Sequence, residues 1–184
     1  MAGSDNDDLE NGGLSREQHK TFEELVSKGK WHSVRQFVNE HKEAVNLILS
    51  DTGGTALHVA VRAGRMNIVK EFIELAHEES LEIEDYEGLT VLGCSVVAGN
   101  IEMAQCIIKK NEKLLRIGNG RHQFIPAVLA VTYNSMAMVR YLYHITPPED
   151  LRPDGATFVT RCIYTGAFGK NSRFGCTFVA IFML

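Results

Sequence analysis

Between Gly53 and Phe72 the apolar positions fall into two short groups at helical spacing. Leu57, Ala60 and Val61 mark one narrow face, and Ile68, Val69 and Phe72 mark a second. Thr55 opens the first group, and Gly64-Arg65 turns the chain between them. Neither group can hold a helix alone in water, where isolated helices below about 12 to 15 residues are marginal. Such a unit has to bury its face against something like itself.

The unit recurs every 35 residues. From Leu57 the equivalent apolar position falls on Leu92 and Ala127, and one step earlier on Phe22. The corner residue keeps the same step as Gly29, Gly64, Gly99 and Asn134, residue types that tolerate the left-handed backbone of a helix end. The second-helix columns agree: Val34, Val69, Ala104 and Val139, then Phe37, Phe72, Ile107 and Leu142. A period of this size, with a glycine turn and two short helices, predicts an all-α stacked solenoid.

Thr55-Ala56-Leu57-His58-Val59-Ala60, preceded by Gly53 and followed by Gly64, resembles the T-P-L-H-x-A signature of ankyrin repeats, with Ala56 in place of proline. A second copy, Gly88, Thr90, Leu92 and Gly99, is similar but has Gly93 where histidine stands. Ile125-Pro126-Ala127 keeps only the proline and a small residue. Tetratricopeptide repeats have nearly the same length but lack the G-x-T-x-L turn. The resemblance implies stacked helix-turn-helix units with short finger turns and a concave face that binds protein.

Repeats are expected over about 15–50, 51–84, 85–119 and 120–148, with a partial copy over 154–169 in which Gly155, Thr157 and Gly166 repeat the motif spacing. Ser15 to Gln18 fits a capping box at the start of the ordered domain, 15–166. His41 to Ser50 reads as an extended or irregular return. Leu75 to Glu84 reads as an acidic, solvated connector, without the D-x-D-x-D-G loop of a calcium site. Pro147-Pro148 ends the last full repeat.

Residues 1–14 read as a disordered acidic tail, with an acidic recruitment arm as the alternative. Residues 170–184 form a divergent apolar tail, and its last 11 residues are too few for a membrane span of about 20. A solenoid needs a polar outer cap. The oily end therefore marks a truncation or divergent terminus, or else a capping element. Aggregation of the chain as written is expected, relieved by deleting residues 167–184; equal solubility of the two forms would argue against it.

Of 23 acidic residues, four lie in residues 1–12, which leaves 19 acids against 19 bases in the body. A neutral body argues against a nucleic-acid surface. Gly118-Asn119-Gly120-Arg121 lacks the third glycine of a nucleotide loop, Gln123 standing there. Seven histidines include no H-E-x-x-H, and Cys94, Cys106, Cys162 and Cys176 form no C-x-x-C. They suit reduced thiols of a cytoplasmic protein. No cofactor, metal or catalytic set emerges. The resemblance gives His58 a structural role, holding neighbouring turn backbone.

A non-enzymatic scaffold or adaptor is therefore the expectation. The register places Arg62, Val97, Ala98, Thr132 and Tyr133 on the concave face, with Tyr86 and Arg121 at the fingers. Arg62, Tyr86, Val97, Arg121 and Tyr133 are the candidate partner-binding residues; Val97 and Tyr133 could instead pack between repeats. Trp31-His32, Ile125-Pro126 and Tyr141-Leu142-Tyr143 further resemble the N-terminal half of plant ankyrin proteins with a C-terminal PGG-type membrane module. That resemblance implies the alternative of a truncated cytosolic part of a membrane-anchored defence or stress signalling protein.

Overall fold

The computed structural model describes residues 9–10, 14–49, 52–151 and 155–164. Ten helices follow one another there: α1 (Arg16–Lys28), α2 (Trp31–Glu40), α3 (Ala56–Arg62), α4 (Met66–Leu75), α5 (Val91–Val97), α6 (Ile101–Lys110), α7 (Pro126–Thr132), α8 (Met136–Ile145), α9 (Pro148–Leu151) and α10 (Gly155–Tyr164). The fold is an all-α solenoid. Helices α1, α3, α5, α7 and α10 stack in one row, and α2, α4, α6 and α8 form a second row behind them.

The 35-residue columns are the core. Phe22, Leu57, Leu92 and Ala127 are all buried, as are Val34, Val69, Ala104 and Val139. In the next column Phe72, Ile107 and Leu142 are buried, while Phe37 is half-buried and stacks on Phe22 with ring centroids 4.6 Å apart. Each large apolar side chain removed from water contributes about 1.5–3 kcal/mol. Helices of seven to ten residues persist for this reason, although none would alone.

The corners are left-handed as the spacing predicts. Gly29, Gly64 and Gly99 have φ of 72°, 69° and 67°, and Asn134 has 53°. Ser15 and Gln18 close the capping box at the start of α1. Successive fingers are joined by backbone bonds: Tyr86 N–H donates to the Thr52 carbonyl at 3.0 Å, and Gly120 N–H to the Gly88 carbonyl at 2.6 Å.

Several expectations change. Leu9–Glu10 (β1) pairs antiparallel with Leu14–Ser15 (β2), and Leu14 is buried, so two short strands lie where a solvated tail is expected. An apolar side chain just before the capping box has the first helix to pack on. The return after α2 is not irregular throughout: Lys42–Asn46 forms a 3-10 turn, and comparable turns follow at Glu79–Glu82 and Glu112–Arg116. The acidic connector is also anchored, because Leu81 is buried and Asn111 Nδ2 donates to Glu78 O and Glu82 Oε1. Pro148 opens α9 rather than only ending α8, since a first-turn proline has no N–H to lose.

Gly155 and Thr157 sit inside α10, not in a finger turn before it. The helix thus starts three residues ahead of the position the register assigns, and the G-x-T spacing there does not mark a turn. Gly166, residues 170–184 and most of the N-terminal tail lie outside the described residues.

Candidate functional site

The face to consider lies between the second and third fingers. Asp85 to Leu89 makes the second, and Asn119 to Phe124 the third, closed by bonds from Asp85 N–H to Leu89 O and from Asn119 N–H to Phe124 O. A cleft of about 360 Å³ opens between them. Leu89, Leu129 and Phe124 form its apolar floor, and Tyr86, Arg121 and Tyr133 stand around its mouth. Tyr86 is 77% exposed and Tyr133 50% exposed. Three of the five candidate partner-binding residues therefore converge on one cleft.

The other two do not join them. Arg62, only 31% exposed, binds the buried Asp85 carboxylate and lies 3.7 Å from Glu87. It is held by its own fold and is not a free anchor. Val97 is 36% exposed and does not line the cleft. The register alone missed His122 and Phe124, whose rings stack 5.2 Å apart at the third finger, with the Arg161 guanidinium 4.7 Å over Phe124. Aromatic rings two residues apart in one finger, at 122 and 124, were the available signal.

Gln123 adds backbone strain beside the cleft. It stands 35 residues after Gly88 and adopts φ 51°, a conformation non-glycine residues seldom take. Its amide donates to Gly120 O at 3.2 Å. Strained residues of this kind gather at binding sites.

The joint beneath the fingers carries the buried chemistry. His58 Nδ1 accepts from Thr55 N–H at 3.0 Å, which leaves Nε2 to donate to Leu89 O at 3.2 Å. The imidazole is thereby fixed as the neutral Nε2–H form. Burial, outweighing the nearby Asp85 carboxylate, pulls its pKa down to about 4. Asp85 Oδ1 accepts from Glu87 N–H and Leu89 N–H at 2.8 and 3.0 Å, and Oδ2 takes Arg62 and the Cys94 thiol. Burial pushes Cys94 up to about 12.

Ligating atoms of His58, Asp85 and Cys94 lie within 4.8 Å of one another. A metal would fit poorly there. The only imidazole lone pair is spent on Thr55, and the carboxylate already holds a guanidinium. The trio is a structural joint.

The next joint solves the same problem differently. Gly93 stands where His58 does, and a β-carbon there would overlap Asn119 Oδ1. That oxygen accepts from Thr90 N–H at 2.9 Å and Thr90 Oγ1 at 2.7 Å, while Asn119 Nδ2 donates to Ile117 O at 2.6 Å. Asn119 matches Asp85 in the finger and reaches into space that an imidazole fills one repeat earlier.

Residues 19–117 match the family described as ankyrin repeats (3 copies), which is more than half of the chain. The chain is an ankyrin-repeat protein. Helices α7 and α8 continue the ankyrin stack beyond the matched segment. A similar chain occurs in the crystal structure of the yeast ribosomal protein Rps3 in complex with its chaperone Yar1. It is 16% identical with a TM-score of 0.60, over 70% of this chain and 92% of that one. At that identity the likeness concerns the fold alone. No curated protein matches. Ankyrin repeats are in general protein-interaction modules.

Among the described residues no helix is long and apolar enough to cross a membrane. Among the described residues Cys94, Cys106 and Cys162 form no disulfide, and burial pushes Cys162 up to about 11. Neither Cys94 nor Cys162 has the lowered pKa of a reactive cysteine.

Proposed function

We propose that this ankyrin-repeat protein is a non-enzymatic adaptor that holds a protein partner on its concave face, with Tyr86, Arg121 and Tyr133 as contact residues. The observation that carries this reading is the cleft between the second and third fingers, with two exposed tyrosines and an arginine at its mouth. Tyrosine and arginine are favoured anchors because each offers large contact area with a polar tip. The residues the fold needs lie elsewhere, in the columns and the joints.

A photo-crosslinking amino acid placed at Tyr133 should capture the partner in cells, and the same group at Arg140 on the outer row should not. Replacing Tyr86, Arg121 and Tyr133 together with alanine should abolish capture by a crosslinker placed at Thr132, while lowering the melting midpoint by only a few degrees, since these side chains are exposed. Equal capture from both faces would sink the assignment.

A second reading makes the chain the cytosolic part of a membrane-anchored plant signalling protein. It rests on the resemblance at Trp31-His32, Ile125-Pro126 and Tyr141-Leu142-Tyr143. Transcript sequence past codon 184 that encodes further repeats and several apolar stretches of about 20 residues would favour it. On either reading the cytosol is the proposed location.

A further inference from the structure

Asn119 is followed by Gly120, and the pair sits at the joint between the second and third fingers. An asparagine before glycine carries its own chemistry, because no β-carbon on the glycine shields the peptide nitrogen from the side-chain carbonyl carbon. In the closed joint three sets of contacts hold that chemistry back. Asn119 is fully buried, and its amide is fixed by Thr90 N–H, Thr90 Oγ1 and Ile117 O. The Gly120 N–H is committed to Gly88 O at 2.6 Å. Asn119 and Phe124 bond backbone to backbone in both directions, at 2.7 and 3.0 Å, which keeps the Asn119–Gly120 peptide from turning its nitrogen onto Cγ.

The joint is also made for a neutral amide. Asp85, at the same level one finger earlier, has Arg62 and the Cys94 thiol on its carboxylate. One period on, those two positions are Val97 and Leu129. A carboxylate at position 119 would be buried without a guanidinium, and its second oxygen would face Ile117 O where Nδ2 now donates. Arg121 and His122 stand on the exposed side of the same finger.

We propose that Asn119 is a site of self-deamidation, gated by undocking of the third finger, and that its product keeps the finger undocked. Once the Gly120 N–H leaves Gly88 O, the nitrogen attacks Asn119 Cγ and the Cγ–Nδ2 bond breaks. The amide departs as ammonia, taking the proton of the Gly120 N–H. Water then opens the succinimide. Cleavage between Cγ and the nitrogen leaves aspartate, and cleavage of the original peptide bond leaves isoaspartate, with the chain running through the β-carboxyl. Asn119 forms part of the cleft wall, so the change takes the cleft with the joint. This chemistry is independent of what the concave face binds.

Peptide mass mapping of the full chain, incubated in heavy-oxygen water at neutral pH, separates position 119 from Asn11-Gly12, the other Asn-Gly pair. Conversion at Asn119 should run at least about tenfold slower in the folded chain than in the free peptide Ile117–Phe124, and urea below the global midpoint should speed it severalfold. Asn119→Asp should lower the urea midpoint. Adding Val97→Arg, which supplies the partner that Asp85 has, should recover most of the loss, while Val97→Arg alone should gain nothing. Equal rates in the folded chain and the free peptide overturn the proposal, as does no conversion of the chain at any urea concentration. So does an Asn119→Asp chain as stable as the parent, or a double variant no more stable than the single.

Discussion

Asp85→Ala should destabilise the protein by about 3 kcal/mol, read as a lower urea midpoint at an unchanged slope. The side chain is fully buried and serves four partners at once: two finger N–H groups, the Arg62 guanidinium and the Cys94 thiol. Alanine leaves the two N–H groups without acceptors under the finger, at roughly 1–3 kcal/mol each where water cannot reach. Arg62 is partly exposed and can turn toward Glu87, so the loss stays below the upper end for a severed buried pair. Asp85→Asn should cost less, about 1–2 kcal/mol, because its carbonyl oxygen can still receive the finger N–H groups. An alanine variant as stable as the parent would mean that the Arg62–Asp85 joint adds nothing.

Lowering the pH from 7 to 4 should remove on the order of 3 kcal/mol of stability through His58 alone. Its imidazole has a folded pKa of about 4 against an ordinary 6.5, with burial the main cause. Between those values the unfolded chain binds the proton and the folded chain does not. Stability is therefore complete above about pH 6.5, declines as pH falls toward 4, and has no further slope from this group below that. Proton uptake by Nδ1 would turn the acceptor of Thr55 N–H into a donor facing a donor. His58→Gln can keep a bond to Leu89 O while lacking the titration. Its urea midpoint should be lower at pH 7 and change much less down to pH 4.5; parallel pH slopes for parent and variant would remove His58 as the cause.

Both outcomes concern the joint between the first two fingers, and much of that joint was legible beforehand. Thr55 and His58 carried the repeat signature, so the bond from the imidazole to the next finger was foreseeable. Asp85 carries no part of that signature. Its carboxylate meets Arg62 at the end of the preceding first helix, 23 residues back, and Cys94 in the following one, nine residues on, and spacing within one repeat does not report that meeting. The same limit misled the surface assignment: Arg62 occupies a concave register position, yet a carboxylate from the next finger claims it.

Asn119 illustrates a different limit. It lies 34 residues after Asp85, one short of the period, because the third finger holds an extra residue before Ile125. Register counting therefore does not align the two. The exchange of a histidine for Gly93 at one joint and of Asp85 for Asn119 at the same level becomes visible only when both side chains are seen competing for one space.

At the last unit the motif spacing of Gly155 and Thr157 predicted a turn, and α10 runs through both. Two polar or small residues at a fixed spacing specify a finger only when a preceding finger offers backbone partners.

By itself the sequence determined the period, the corners, the buried columns and thus the ankyrin stack, because those depend on local backbone preference and on apolar spacing that every copy repeats. Tertiary structure alone decided which surface residues remain available. Pairing of Arg62 in α3 with Asp85 of the next finger withdrew that arginine, and the closure of the third finger set Phe124 in the same cleft as Tyr86 and Tyr133. Those outcomes depend on distances between neighbouring repeats, which no single period of the sequence contains.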